Sequence, residues 1–540
     1  MTHLCVAIFV SDMAKAKGDA ALAGELGADM VEYRIDGMTD IGAIAVLTRG
    51  SPLPCIVTCR PTWEGGRCEF PDAWRFTSLK TAAGANASYI DVELAAYRRS
   101  AADLDTTGRL ILSAHDFVGR PDRLYNLIAE MNALPANVVK IVWTARTIRD
   151  NLEAFEILRN KAKPTIALCM GEAGLISRVL AKKFGGFLTF VALDNDCGTA
   201  PGQITISEMK RLYRWDSIGE KTKVYGVVAS PVKHSMSPAI HNAAFEAIGY
   251  DGVYLPLLVE AGYESFKAFM ETFIQFEGLD LCGLSITIPH KQNALRYLQE
   301  KQGDIEPLAQ SIGSVNTILM EHSVALQQDM GSETGTGGVS RPGNVMSKGG
   351  ARVPRLRGFN TDYAAILDSI TAAMGIGREQ LRNGRVAVLG AGGTGRAAVA
   401  ALAHYGADVT VYNRTQDRGE ALAAEFDGRT GRVHCAAFDG LAQSDCSILI
   451  NTTSVGMHPN VEQSPLDAAS LTLRSDMVVF DAVYNPMRTK LLAQAQSAGA
   501  KTVGGVEMFV RQAAAQFEKW TGHAAPVSVM RQVIERRLAR

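Results

Sequence analysis

Arg385-Val386-Ala387-Val388-Leu389-Gly390-Ala391-Gly392-Gly393-Thr394-Gly395 opens with a short apolar run and turns sharply through glycine. An alanine-rich helical pattern follows over 396–405, then a second apolar run, Asp408-Val409-Thr410-Val411-Tyr412, which ends in Asn413-Arg414-Thr415. This reads as strand, turn, helix, strand. Gly390, Gly392 and Gly395 stand at the G-x-G-x-x-G positions of a dinucleotide fingerprint. The first allows a tight turn, the second lets backbone approach a pyrophosphate, and the third lets helix pack on strand. The anion would rest on the free N–H groups of the helix N-terminus. An NAD site places a carboxylate at the end of the second strand, to bond the ribose 2′-hydroxyl. Here no acid stands there and Arg414 would welcome a 2′-phosphate, so the expected cofactor is NADP. The bland alternative for Arg414 is a solvated loop residue. Gly390, Ala391, Gly392, Gly393, Thr394, Gly395, Asn413, Arg414 and Thr415 are the candidate cofactor contacts, joined by Thr452 and Gly505 further on.

With 540 residues the chain has room for about three to four domains. Hydrophobic content of 47% against 21% charged is enough for large packed cores. Lys plus Arg (55) balance Asp plus Glu (56), so nothing electrostatic points to nucleic acid or an anionic membrane. No apolar run is long enough to span a bilayer. Met1-Thr2-His3-Leu4 leads directly into a strand-like run, and neither a signal nor a transit peptide is expected. The nine cysteines are scattered. Cys55 and Cys59 flank a strand pattern without partners at zinc spacing, and read as buried reduced thiols of a cytoplasmic protein. No metal site is expected.

The first 218 residues alternate regularly. Apolar, β-branched runs lie at 4–10, 30–35, 55–59, 89–94, 109–113, 138–144, 165–170 and 187–193. Helical patterns lie between them at 14–26, 41–48, 73–85, 122–134, 148–161 and 173–184, and a last one at 207–214; the fourth crossover, near 100–104, is short. Eight such units predict a (β/α)₈ barrel, with an open doubly wound sheet as the alternative. Barrel chemistry sits where the strands end, and those ends carry Glu32, Arg34, Arg60, Asp91, Glu93, His115 and Asp116. Lys140 lies inside an apolar strand, between Val139 and Ile141. Such a lysine either snorkels to an edge or serves as a functional amine. Histidine on the neighbouring strand, with acids and arginines on others, favours the second. A desolvated lysine makes Schiff bases, a histidine moves the protons, and Arg60 with Arg178 can clamp a carboxylate.

Glu32-Tyr33-Arg34-Ile35-Asp36, Ile90-Asp91-Val92-Glu93-Leu94, Ser113-Ala114-His115-Asp116-Phe117, Lys140-Ile141, Gly174-Leu175-Ile176-Ser177-Arg178 and Ala200-Pro201-Gly202-Gln203 together resemble type I 3-dehydroquinate dehydratase. The resemblance runs in order through the whole first segment. It implies an imine between Lys140 and a substrate ketone, with His115 as general acid and base and Glu93 assisting it. It implies that Glu32, Arg34, Arg60, Arg178, Thr199 and Gln203 hold the substrate. Thr199 stands where many members carry serine.

A short polar join leads at about residue 222 into the next domain. Ser235-Met236-Ser237-Pro238 enters a helical pattern, where alone it would be read as an N-cap with proline in the first turn. Lys291 follows a strand pattern, Asn316 lies in Ser314-Val315-Asn316-Thr317, and Asp362 in Gly358-Phe359-Asn360-Thr361-Asp362. The stretch 321–354, rich in Gly, Ser, Gln and Thr, reads as a disordered insert. Further strand patterns end in Thr452-Thr453-Ser454 and Ala482-Val483-Tyr484, and Gln512 and Gln516 share a helix face. Together these resemble shikimate dehydrogenase. The resemblance implies substrate contacts from Ser235, Ser237, Thr287, Asn316, Tyr484 and Gln512, with Gln516 added, and a Lys291–Asp362 pair handling the proton of the reduced oxygen. Ser285 stands where bacterial members often carry asparagine. That departure and the fused order resemble the plant bifunctional enzymes.

The expected architecture is therefore α/β: a barrel over 1–218, a substrate subdomain over 222–370, a Rossmann NADP-binding subdomain over 380–505, and helices over 506–540 returning to the substrate subdomain. The expected activities are dehydration of 3-dehydroquinate to 3-dehydroshikimate and NADPH-dependent reduction of that ketone to shikimate. Small molecules are the expected partners. One alternative is a quinate oxidoreductase, against which both Ser235 and Ser237 stand. Another is a non-catalytic sensor of these metabolites, which would have lost Lys140, His115, Lys291 or Asp362.

Overall fold

A computed structural model describes residues 1–100, 109–195, 202–233, 235–322, 354–469 and 471–539. Thr199 and nearly all of the 321–354 insert lie outside the described residues. The chain forms two compact units, residues 1–238 with 251–281, and residues 239–250 with 282–540.

In the first unit the eight expected runs form β1 (His3–Phe9), β2 (Met30–Arg34), β3 (Cys55–Thr58), β4 (Tyr89–Glu93), β5 (Leu110–Asp116), β6 (Val138–Thr144), β7 (Thr165–Met170) and β8 (Leu188–Val191). Helices α1 (Met13–Glu25), α2 (Ile41–Arg49), α3 (Asp72–Gly84), α4 (Leu94–Ser100), α5 (Leu124–Ala133), α6 (Asp150–Arg159) and α7 (Leu175–Val179) alternate with them. The strand order β7-β6-β5-β4-β3-β2-β1-β8 is parallel throughout. The N–H of Phe187 donates to the Thr165 carbonyl at 2.8 Å, where the first and last members of that order meet. This is a nearly closed barrel, as the alternation predicts.

Three details differ from expectation. Strand β5 runs to Asp116 rather than stopping at Ser113, so His115 lies inside the sheet. The helix expected over 173–184 is regular only to Val179; in the turns beyond it, Lys182 reaches the carbonyls of Trp215 and Asp216, and Lys183 those of Glu220 and Thr222. The last expected helix is a single π-helical turn, Glu208–Leu212. This unit also holds β9 (Lys223–Ala229) and β10 (Gly252–Leu258), paired in parallel.

In the second unit β11 (Leu281–Ile286), β13 (Thr317–Glu321) and β14 (Arg355–Phe359) run antiparallel in that order, and β12 (Asp304–Ile305) pairs with β14 in parallel. The β13–β14 pair brackets the insert. The remaining strands are β15 (Arg385–Leu389), β16 (Asp408–Tyr412), β17 (Arg432–Ala436), β18 (Ile448–Asn451), β19 (Val478–Asp481) and β20 (Lys501–Val503). Their order β17-β16-β15-β18-β19-β20 is the 3-2-1-4-5-6 order of a Rossmann sheet. Period-two alternation splits its apolar residues between two cores. Val386, Val388, Ile448 and Ile450 face one core, and Ala387, Leu389, Leu449 and Val479 the other.

Helix α8 (Ser237–Ala247) opens a run that continues with α9 (Tyr263–Gln275), α10 (Lys291–Glu300), α11 (Pro307–Ile312), α12 (Thr361–Met374), α13 (Gly393–His404), α14 (Gln416–Phe426), α15 (Lys490–Ser497), α16 (Gly505–Thr521) and α17 (Val527–Leu538). Trp520 of α16 donates from Nε1 to the Ile318 carbonyl at 3.1 Å, and its indole lies against Gly283 of β11. A Cβ at Gly283 would stand 2.4 Å from the indole. Gly283→Ala is therefore expected to cost about 1–3 kcal/mol of stability in this unit, measured by urea unfolding. A change below about 0.5 kcal/mol, the range of ordinary surface substitutions, would mean that the ring moves aside freely.

Candidate active sites

Strand alternation decides which side chains enter the barrel. Glu32 and Arg34 of β2, Thr58 of β3, Asp91 and Glu93 of β4, Ser113 and His115 of β5, and Lys140 and Val142 of β6 share its inner face, with Arg60 just past β3. Of these, Glu32, Arg34, Arg60, His115, Lys140 and Val142 line a cavity, open at its mouth, whose lining also includes Glu64, Phe117, Arg178, Phe190 and Gln203.

Lys140, 4% exposed, lies 2.9 Å from an Asp91 oxygen and 3.4 Å from a Glu32 oxygen, with its ammonium over the Phe190 ring. The same Glu32 oxygen accepts from the Thr58 hydroxyl at 2.8 Å. Arg60 donates to Glu93 at 2.9 Å and to Ser113 at 2.8 Å, and pairs with Asp91 at 2.9 Å. Burial alone would raise Asp91, but Arg60 and Lys140 hold its carboxyl well below the usual carboxylate range. Asp36 fixes the mouth by pairing with Arg34 at 2.6 Å and accepting the backbone N–H groups of Arg60 and Arg67.

Arg178 is 2% exposed, and its Nε has no partner. Burial pushes its guanidinium down to about 10. A buried guanidinium on a cavity wall, without a carboxylate partner among the described residues, suits an anion.

The partner of His115 is not Glu93. Both Glu93 oxygens are taken by Arg60 and Arg75. Glu64 does the holding, with Oε1 2.9 Å from the imidazole Nδ1 and accepting the His115 backbone N–H at 3.1 Å. Nε2 is then the ring nitrogen left for proton transfer. Burial, and after it the charges of Arg60 and Lys140, hold His115 well below the usual imidazole range. Burial pushes Glu64 up to about 8.

In the second unit Lys291 opens α10 and Asp362 lies in the first turn of α12; their ion pair is 2.6 Å long. A cation at a helix N-terminus is unfavourable, and the carboxylate offsets it. Asn360 caps α12 by accepting the Asp362 N–H at 3.1 Å, which sets the carboxylate's position. Asn316 donates to the Thr361 hydroxyl at 3.1 Å and accepts the Thr361 N–H at 2.8 Å. Thr287 is half-buried, its carbonyl accepting the His290 N–H. Tyr484 packs on Phe509 at 5.3 Å, and burial raises its hydroxyl. Gln512 donates to the Phe509 carbonyl at 3.1 Å. Gln516 is bound within the fold: Ser285 donates to its oxygen at 2.8 Å, and its nitrogen donates to Thr317 at 3.0 Å and to the Asn316 carbonyl. It braces β11 and β13. Ser235 and Ser237 fall in the first unit, where the Ser237 N–H donates to the Ser235 hydroxyl at 3.3 Å.

The glycine turn has the shape that a dinucleotide requires. Gly390 has φ +103°, and a Cβ at Gly395 would stand 2.1 Å from the Gly390 carbonyl oxygen, whereas Gly392 and Gly393 face open space at the start of α13. Arg414 and Thr415 are exposed. Three other expected contacts act inside the protein. Asn413 accepts the Ala391 N–H at 3.1 Å and donates to the Thr415 carbonyl at 2.6 Å. Thr452 donates to the Leu389 carbonyl at 2.7 Å. Gly505 gives room for the Ala482 carbonyl, which a Cβ would approach to 2.5 Å.

Family models agree with this division of chemistry. Type I 3-dehydroquinase matches residues 4–220, the shikimate dehydrogenase substrate binding domain 227–318, shikimate/quinate 5-dehydrogenase 372–486, and the shikimate 5′-dehydrogenase C-terminal domain 505–535. A chloroplastic bifunctional 3-dehydroquinate dehydratase/shikimate dehydrogenase of Arabidopsis thaliana is 37% identical over 99% of this chain and 84% of its own length. The chain belongs to the family of bifunctional 3-dehydroquinate dehydratase/shikimate dehydrogenases. A shikimate dehydrogenase (NADP(+)) of Methanosarcina acetivorans is 37% identical over 58% of this chain and 97% of its own. A solved structure of dehydroquinate dehydratase and shikimate dehydrogenase from S. pombe, 24% identical, covers 99% of this chain and 98% of its own with a TM-score of 0.42. No helix among the described residues is long and apolar enough to cross a membrane.

Sequence reasoning missed Glu64. Its signal was Trp63-Glu64-Gly65-Gly66 after β3: Gly65 has φ +74°, and a Cβ at Gly66 would stand 2.0 Å from the Arg60 carbonyl oxygen. So tight a turn leaves Glu64 pointing inward. Its folded value of about 8 lies above the ordinary 4.5, so folding favours the neutral carboxyl. That contribution is fully present below about 4.5 and is lost as pH rises through about 8. In Glu64→Gln this loss should vanish, so urea unfolding at pH 6 and pH 9 should differ less than in the parent. Equal pH dependence in both proteins would remove Glu64 as its source.

Proposed function

We propose that the barrel's reaction runs through an imine on Lys140, and that the Lys291–Asp362 pair serves the reduction. The chain is a bifunctional enzyme of the shikimate pathway, a dehydroquinate dehydratase and a shikimate dehydrogenase, with NADP as cofactor. The observation carrying the imine is the buried Lys140 amine in a cavity that His115 and Arg178 also line. Arg178 receives the substrate carboxylate. The amine adds to the ketone and water leaves, giving a cationic imine that acidifies the neighbouring C–H bond. His115 takes that proton through Nε2 while Glu64 holds Nδ1, and returns it to the departing hydroxyl, which leaves as water. Hydrolysis then frees Lys140 and 3-dehydroshikimate.

In the second unit the cofactor, when bound, supplies hydride. Lys291 lies where it can give a proton to the oxygen being reduced, and Asp362 keeps that lysine in place. Asn316, Tyr484, Gln512 and Thr287 orient the substrate. The backbone N–H groups of Gly392, Gly393 and Thr394 hold pyrophosphate, and Arg414 reads the 2′-phosphate. Domain limits of 1–218, 222–370, 380–505 and 506–540 are supported by the family-model spans. The free, buried thiols of Cys5, Cys55 and Cys169 support a reducing compartment, which we take to be the cytoplasm.

Purified protein given 3-dehydroquinate and NADPH should oxidise NADPH. Lys140→Ala should abolish that, yet still reduce added 3-dehydroshikimate. Lys291→Ala should lose about 10²–10⁴ in reduction and keep dehydration. If Lys140→Ala dehydrates normally, or if borohydride traps substrate on another lysine, the imine assignment is wrong. Arg414→Ala should weaken NADPH binding about ten- to a hundredfold and leave NADH binding unchanged. An unaltered preference would place the phosphate reader elsewhere.

A further inference from the structure

We propose that Cys59 and Cys68 form a reversible disulfide, and that closing it lowers the dehydratase activity while leaving the reductase untouched. Their sulfurs lie 3.4 Å apart, with the Cys59 thiol donating to Cys68. Both are buried, but Cys68 sits in a surface turn between the exposed side chains of Arg67 and Glu69.

The chemistry of the pair is asymmetric. The hydrogen bond from Cys59 lowers the Cys68 thiol and so favours its thiolate. The same bond, with burial, raises Cys59. Cys68 is thus the attacking sulfur and Cys59 the resolving one. With hydrogen peroxide as oxidant, the Cys68 thiolate attacks one oxygen, the O–O bond breaks, and the departing hydroxide takes a proton to become water. The Cys59 sulfur then attacks the resulting sulfenic acid. The S–O bond breaks, and the hydroxide leaves as water with the Cys59 proton. Two thiols lose two electrons, and one peroxide becomes two waters.

The turn between these cysteines carries part of the dehydratase site. Arg60 follows Cys59 directly, and Glu64 holds His115 from the middle of the turn. Backbone bonds fasten the turn to itself: Cys68 N–H to the Arg60 carbonyl at 3.0 Å, Thr62 N–H to the Cys68 carbonyl at 3.1 Å, and Gly66 N–H to the Pro61 carbonyl at 2.9 Å. A disulfide needs an S–S separation of about 2.05 Å, so the ends of the turn must draw together. Arg60 and Glu64 move with them. A misplacement of about 1 Å in a catalytic constellation costs on the order of a hundredfold in rate.

The inference rests on the dehydratase reading for its activity readout, whereas the bond itself is read by mass. The full chain is treated with hydrogen peroxide, free thiols are alkylated, and peptides are mapped. The expected result is a peptide linking Cys59 to Cys68, a fall of about tenfold or more in dehydration, unchanged reduction of 3-dehydroshikimate, and recovery with dithiothreitol. Cys68→Ser, outside the substrate contacts, should keep its dehydratase before and after peroxide. Absence of the linked peptide overturns the proposal. So does a linked peptide with unchanged dehydration, or an equal peroxide loss in Cys68→Ser. If the untreated chain failed to dehydrate 3-dehydroquinate, the earlier reading would fall, and the dithiol would be judged on the linked peptide alone.

Discussion

The contact between the Lys140 ammonium and Asp91, 2.9 Å long and almost wholly buried, constrains the rest of the barrel. Taking a charged pair out of water costs several kcal/mol per ion unless every remaining lone pair and proton is satisfied. The barrel meets that demand by alternating charges. Asp91 also faces Arg60, Arg60 also faces Glu93, and Glu93 also faces Arg75. Ser113 donates to Asp91 at 2.6 Å, and Thr58 donates to Glu32, so neutral hydroxyls fill the gaps. Arg178 has no such neighbour among the described residues. Among the described residues the cavity wall therefore carries a guanidinium without a matching carboxylate.

Much of this was legible in the sequence because strands alternate with period two. Once 138–144 is read as a strand, Lys140 and Val142 must share a face, and an apolar barrel strand with one lysine on its inner face is chemically conspicuous. The eight strands and Lys140, His115, Arg60 and Arg178 all follow from pattern. The partners do not. In register Lys140 lies beside Ser113, and Ser113 beside Glu93. The lysine nevertheless reaches Asp91, two residues back, because barrel strands are tilted and staggered. Glu93 was for the same reason the wrong partner for His115. Glu64 reaches that histidine across 51 residues from a turn with no periodicity at all.

The dehydrogenase half shows the same boundary. A glycine turn is legible because its requirement is steric and local: Gly390 needs a positive φ, and Gly395 has no room for a Cβ. Side chains that bond the backbone across the fold are not legible in that way. Asn413, Thr452 and Gln516 are polar and stand near the cleft in sequence, which made them plausible ligands. Each is instead engaged by a backbone group or by a residue far along the chain. A buried polar side chain must be satisfied by something, and the amino-acid sequence does not say whether by ligand or by protein.

These two solutions differ in how their parts depend on one another. In the barrel Asp91 serves Lys140, Arg60 and Ser113 at once, so removing any one charge leaves its neighbours buried and unmatched. Effects of substitutions there must be coupled, because the residues share partners. In the Rossmann half the glycine turn is backbone held in shape by missing Cβ atoms, and the Arg414 side chain is exposed. Arg414 can be changed without disturbing the turn, whereas Lys140, Asp91, Arg60 and Glu93 stand as one unit.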